Sequence, residues 1–256
     1  MYQEEFAAVG KASVGKINFL RRNPLGYVLA SMLAGMYVGF GILLIFSIGG
    51  QLSGAPYTKL IMGISFGIAL SLVILAGAEL FTGNNFVMAG GMLQKKVTLQ
   101  QSAKLWVVCY AGNWMGAIAV ATAFVATGLG NEPQVGSFIV TAAAGKMTAG
   151  IIPLFFRGVL CNMLVCLAVW CGFRCESEAG KLIMIFWCLF AFITTGFEHS
   201  IANMTLFTSA LWLDKTGAIT LSGYAYNLFF VTLGNMAGAI FGLAVPYGII
   251  ANKKEV

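Results

Sequence analysis

Two short polar clusters, Gly77-Ala78-Glu79-Leu80-Phe81-Thr82-Gly83-Asn84 and Gly196-Phe197-Glu198-His199-Ser200-Ile201-Ala202-Asn203, interrupt otherwise apolar sequence and repeat Gly, Glu and Asn at one offset of 119 residues. A carboxylate at lipid depth is costly unless it has an internal partner or lies near a polar path, so the duplicated Gly-x-Glu cluster marks a functional centre. His199 is the single histidine of the chain. A lone histidine is ordinarily a satisfied packing residue, but beside Glu198 in intramembrane sequence it is suited to donate to an anion or to share a proton with it. Thr82 offers a hydroxyl opposite, a role compatible with a local cap in the turn. With one histidine there is no H-E-x-x-H pair, which speaks against an intramembrane metalloprotease; no enzyme, metal or cofactor is implied.

The elements that must position these residues cross a membrane. Of 256 residues, 59% are hydrophobic and 9% charged, against about a quarter charged in soluble domains. Apolar stretches near 25–50, 59–93, 104–128, 148–173, 181–213 and 224–250 are each long enough to cross roughly 30 Å of hydrocarbon. The second and fifth run 33 to 35 residues, about 50 Å as a single helix, so a break at each polar cluster is expected. Non-helical backbone at membrane depth is tolerated only where protein buries it or an aqueous cavity meets it, and two breaks imply a shared cavity.

A second repeat extends the first: Gly112-Asn113-Trp114-Met115-Gly116-Ala117-Ile118 returns as Gly234-Asn235-Met236-Ala237-Gly238-Ala239-Ile240. Duplicating a three-span unit inverts the second copy, giving a pseudo-twofold axis in the membrane plane. The fold class expected is therefore an all-α integral membrane protein: six transmembrane helices in inverted three-helix repeats, about 23–128 and 146–250, with the second and fifth helices broken. The first and fourth spans show no match, so the duplication rests on the other two pairs.

Half-helix termini aimed at one midplane point bring partial positive charge and free N–H groups to it, which favours small anions. Glu79 and Glu198 are then expected to accept freed backbone N–H groups and hold the loops, with an exposed carboxylate cation site as the alternative. The formal charge of +6 is distributed at span ends rather than over one nucleic-acid-binding surface. Lys11, Lys16, Arg21, Arg22, Lys95, Lys96, Lys104, Arg174 and Lys181, with Lys253 and Lys254, fall on one side, and Lys59, Lys146 and Lys215 on the other. The positive-inside bias places both termini in the cytoplasm, as expected for a multi-pass protein of the cytoplasmic membrane.

Residues 1–22 lack the apolar core of a cleavable signal. Phe6, Val9, Val14, Ile17 and Leu20 recur at helical spacing, which suits an amphipathic helix on the inner membrane surface, with a solvated leader as the alternative. A channel domain over 23–252 and a short tail at 253–256 complete the division. The six cysteines lie in or beside spans with no C-x-x-C pair and are read as small core side chains. Gly35/Gly39, Gly63/Gly67 and Gly234/Gly238 permit close helix contact, within or between subunits.

With LAGAELFTGNN at 75–85, RGVLCNMLVCLAVW at 157–170 and GFEHSIANM at 196–204, the chain resembles the formate/nitrite transporter family of small-anion channels, and by whole-chain impression its hydrosulfide branch. The resemblance implies an aquaporin-like protomer, a homopentamer with a pore through each subunit, and Thr82 facing His199 in that pore. It implies support from Asn162 and Asn203, apolar constrictions at Phe66, Leu70, Leu80 and Phe192, and vestibule lysines at Lys16 and Lys146 that gather anions. The implied function is passage of small monovalent anions of weak acids: hydrosulfide, formate or nitrite. A proton-coupled transporter of the same anions and a neutral-solute pore of aquaporin type are the alternatives.

Overall fold

The computed structural model describes residues 1–251; Lys253, Lys254 and the tail at 253–256 lie outside the described residues. Six helical segments are long and apolar enough to cross a membrane, and the described residues contain helices and turns but no strand. Besides a short 3-10 turn at Leu129–Asn131, the described residues form ten helices in two sets of five in the same order. The first set is α1 (Gln3–Arg22), α2 (Pro24–Gln51), α3 (Thr58–Gly77), α4 (Phe81–Leu93) and α5 (Leu99–Ala126). The second is α6 (Pro133–Met147), α7 (Ile151–Arg174), α8 (Glu178–Thr195), α9 (Ser200–Leu213) and α10 (Leu221–Ala251). Polar side chains start several of them. Asn23 accepts the Gly26 N–H before α2, Thr98 and Gln101 form a reciprocal capping box at α5, Ser177 accepts the Gly180 N–H at α8, and Thr220 that of Gly223 at α10.

Both expected breaks are present. The α3–α4 break spans Ala78 to Leu80 and the α8–α9 break spans Gly196 to His199. The turn at each requires glycine, because Gly77 and Gly196 have φ of +80° and +81°, where a Cβ is strained. The two exits differ: α3 widens into a π turn over Leu72–Gly77, whereas α8 tightens, the Gly196 N–H bonding to the Ile193 carbonyl.

The inverted repeat is visible in the helix pairings. On α2 against α5, a Cβ at Gly35 would strike the Asn113 carbonyl and one at Gly116 that of Met32. On α7 against α10, Gly234 meets the Phe155 carbonyl and Gly238 that of Val159. Gly39 faces Val120 and Thr205, Gly63 faces Thr194, and Gly67 lies against Phe186, so these small-residue contacts are made within the subunit. The pairing supplies the match between first and fourth spans that side-chain identity hides. The Glu79 N–H bonds to the Ala30 carbonyl and the Glu198 N–H to the Arg157 carbonyl, aligning α2 with α7 at an offset of 127.

Two departures from expectation concern the flanks. The repeat begins one helix earlier than the apolar stretches suggest, because α6 at Pro133–Met147 mirrors α1; its composition is too mixed to register as a span. The apolar stripe of α1 is covered by protein rather than lipid. Phe6 and Val9 join a cluster with Phe86, Val87 and Trp170, and Val14 and Ile17 pack on the main core. Large apolar side chains remain exposed around the barrel of helices, among them Leu25, Ile152, Phe229 and Phe241, as a lipid-facing or subunit-facing surface requires.

Candidate functional site

The two breaks are built alike, from asparagines outside the clusters. Asn113 of α5 accepts the Phe81 N–H at 2.9 Å through Oδ1 and donates through Nδ2 to the Ser31 and Glu79 carbonyls at 2.7 and 2.9 Å. Asn235 of α10 accepts the Ser200 N–H at 3.0 Å and donates to the Gly158 and Glu198 carbonyls at 2.8 and 2.9 Å. Each fully buried amide thus occupies the N–H and the carbonyl that a broken helix frees and ties the break to a carbonyl of the neighbouring unbroken helix, α2 or α7. The sequence signal for both residues is the Gly-Asn repeat around them, which carries no role for the asparagines until the breaks are seen.

This corrects the expectation for the glutamates, whose carboxylates take no backbone N–H. Glu79 accepts from Lys16 Nζ at 2.8 and 2.7 Å, from the Tyr27 hydroxyl at 3.2 Å and from Asn84 Nδ2 at 2.8 Å. Glu198 accepts from Lys146 Nζ at 2.8 Å and from Asn203 Nδ2 at 2.7 Å. The ion pairs tie α1 and α6 to the two breaks, and each of the expected vestibule lysines, Lys16 and Lys146, is held by an opposing carboxylate. The physical reason is that a desolvated carboxylate gains more from a full cation than from amide dipoles.

Each pair opens into a cavity. One of about 320 Å³ is lined by Lys16, Glu79, Leu70 and Leu80, the other, of about 280 Å³, by Lys146, Glu198, Phe192, His199 and Arg157. Between them Thr82 Oγ1 lies 3.0 Å from His199 Nε2, both side chains buried. His199 Nδ1 accepts the Ala202 N–H at 3.1 Å and so caps α9. With Nδ1 an acceptor, the ring proton resides on Nε2 and points at Thr82. Asn162 Nδ2 donates to the Thr82 carbonyl at 3.2 Å and to that of Asn235 at 2.8 Å, joining the threonine to the opposite break. The Asn203 side chain supports Glu198, and the Asn84 side chain does the same for Glu79.

The four expected constriction residues are all buried: Leu70 and Leu80 line the first cavity and Phe192 the second, while Phe66 lies behind Phe192 and lines neither. The rings of Phe66 and Phe192 meet edge to face at 5.5 Å, and Phe192 stacks on the His199 ring at 6.0 Å. A narrow polar contact therefore stands between two apolar collars and two paired ionic groups.

The family model "Formate/nitrite transporter" matches residues 3–249. The nitrite transporter NirC of Escherichia coli (strain K12) is 45% identical over 227 residues, covering 88% of this chain and 84% of that protein. Among solved structures, an "FNT family ion channel" superposes with a TM-score of 0.92 at 38% identity, over 97% of this chain and 99% of that one. A "Pentameric formate channel with formate bound" superposes with a TM-score of 0.80 at 27% identity, over 90% and 98%.

Proposed function

The chain belongs to the formate/nitrite transporter family, and from that premise we propose that it is a channel for small monovalent anions of weak acids, with Thr82 and His199 as the donors at its narrowest point. The observation that carries this reading is the 3.0 Å contact between Thr82 Oγ1 and His199 Nε2, set between cavities that open on Lys16 and on Lys146. An anion that separates the two side chains meets one N–H and one O–H just where collars of Leu and Phe strip its water. Small size and low hydration cost pass this filter; sulfate and phosphate do not. The 45% identity with a nitrite transporter and the fold of a formate channel support nitrite and formate; hydrosulfide falls in the same size and charge class.

Both membrane carboxylates are paired with lysine and His199 Nδ1 is engaged as a cap. With these groups engaged inside the protein, the reading favours flow down the anion's own gradient over obligatory proton coupling. The solved pentameric neighbour supports a homopentamer with one pore per subunit. The charge distribution supports a cytoplasmic-membrane location with both termini inside. Thr82→Val, which keeps shape and removes the hydroxyl, tests the site in proteoliposomes: the reading expects lower anion flux from an intact oligomer, and wild-type flux would count against it.

A further inference from the structure

The pseudo-twofold axis relates the two vestibules in shape but not in charge. The ionic groups of the Lys16 cavity are Lys16 and Glu79, which pair with each other. The Lys146 cavity holds the Lys146–Glu198 pair and two more cations, Lys59 at the start of α3 and Arg157 on α7. Among the described residues neither Lys59 nor Arg157 makes an ion pair. The counterpart of Arg157 on α2 is Ala30, and the backbone carbonyls of both receive a glutamate N–H from the adjoining break. The structural duty of this position is therefore met by the backbone, and the guanidinium is additional to it. A cation within a spanning helix is costly unless it reaches a polar path, and here it borders the cavity that His199 also lines.

We propose that Arg157, with Lys59 adding unpaired positive charge, is a capture site at the Lys146 mouth that selects planar two-oxygen anions, the class of nitrite and simple carboxylates, over single-centre anions such as hydrosulfide and chloride. This inference rests on the anion-channel reading above. Its chemistry is the match between a planar fork of N–H donors and two oxygens on one centre, which an ammonium cannot reproduce. Because Lys146 is neutralised by Glu198, the excess charge that raises the local anion concentration comes from Arg157 and Lys59. Arg157 is exposed and lines the cavity, so a captured anion keeps part of its water and is held weakly enough to move on toward His199.

The test is the concentration dependence of nitrite, formate and hydrosulfide flux in proteoliposomes bearing wild type, Arg157→Lys, Arg157→Gln or Lys59→Gln, with oligomer elution verified for each. Arg157→Lys is expected to raise the half-saturating concentration for nitrite and formate by about three- to tenfold and to hold hydrosulfide within about twofold. Arg157→Gln should raise all three, and Lys59→Gln all three by less. Unchanged half-saturation in Arg157→Gln, or an equal rise for all three anions in Arg157→Lys, overturns the inference while leaving the channel reading in place. A wild-type protein that passes none of the anions overturns both.

Discussion

Leu80 and His199 occupy the same station in the two halves: each is the extended residue from which a half-helix starts, α4 after Leu80 and α9 after His199. Leu80 brings no acceptor, so the start of α4 relies on Asn113, whereas His199 Nδ1 adds a cap to the bond made by Asn235. One backbone position thus supplies an apolar collar on one side of the axis and a fixed N–H donor on the other.

This double duty can be separated. Asparagine is a strong N-cap but has no donor at the position of Nε2, so His199→Asn should keep the α9 start and lower anion flux by about tenfold or more. His199→Ala should lose flux and also about 1 kcal/mol of stability. Flux assays paired with thermal unfolding of the oligomer distinguish the two; wild-type flux in His199→Asn would show that the cap alone matters.

Asn113→Ala or Asn235→Ala each strands the N–H that starts a half-helix, Phe81 or Ser200, and takes the amide donor from the break carbonyl of Glu79 or Glu198. At about 1–3 kcal/mol for each stranded group, the expected outcome is a large fall in melting temperature or failure to assemble. Asn162→Ala releases Thr82 and should reduce flux more than stability, which thermal melts beside flux measurements would show.

The Lys146–Glu198 pair is coupled, because Glu198 is buried and its other oxygen is already bound to Asn203. Removing either partner alone should cost about 3–5 kcal/mol, while Lys146→Met with Glu198→Gln should cost less than the sum of the single changes. A double-mutant cycle on unfolding reads this directly, and additive effects would contradict a coupled pair.

Gly77→Ala and Gly196→Ala force a Cβ into left-handed backbone and should each destabilise by about 1–2 kcal/mol. Gly145→Ala is the control: it lies within α6 with open space around the site of a Cβ, and its stability should be unchanged or raised.

Six spans, the two breaks and the central Thr82–His199 pair were legible because each leaves a local mark: length of apolar run, a polar interruption, a repeated glycine. What stayed hidden was partnership. Nothing local to Glu79 shows that Lys16 rather than backbone will reach it, since the pairing depends on where α1 docks. The equivalence of α2 and α7 is carried by backbone carbonyls at Ala30 and Arg157, which any residue type supplies. The helix at Pro133–Met147 stayed unseen because it packs on neighbours without the continuous apolar run of a span.

Flux through purified protein in liposomes, comparing nitrite, formate, hydrosulfide and chloride under matched gradients at two pH values, tests the central claim most directly. Rapid movement of the weak-acid anions down their own gradients, faster than chloride and without an imposed proton gradient, is the expected result. Absence of flux for all of them, or flux that appears only when a proton gradient is imposed, would contradict it.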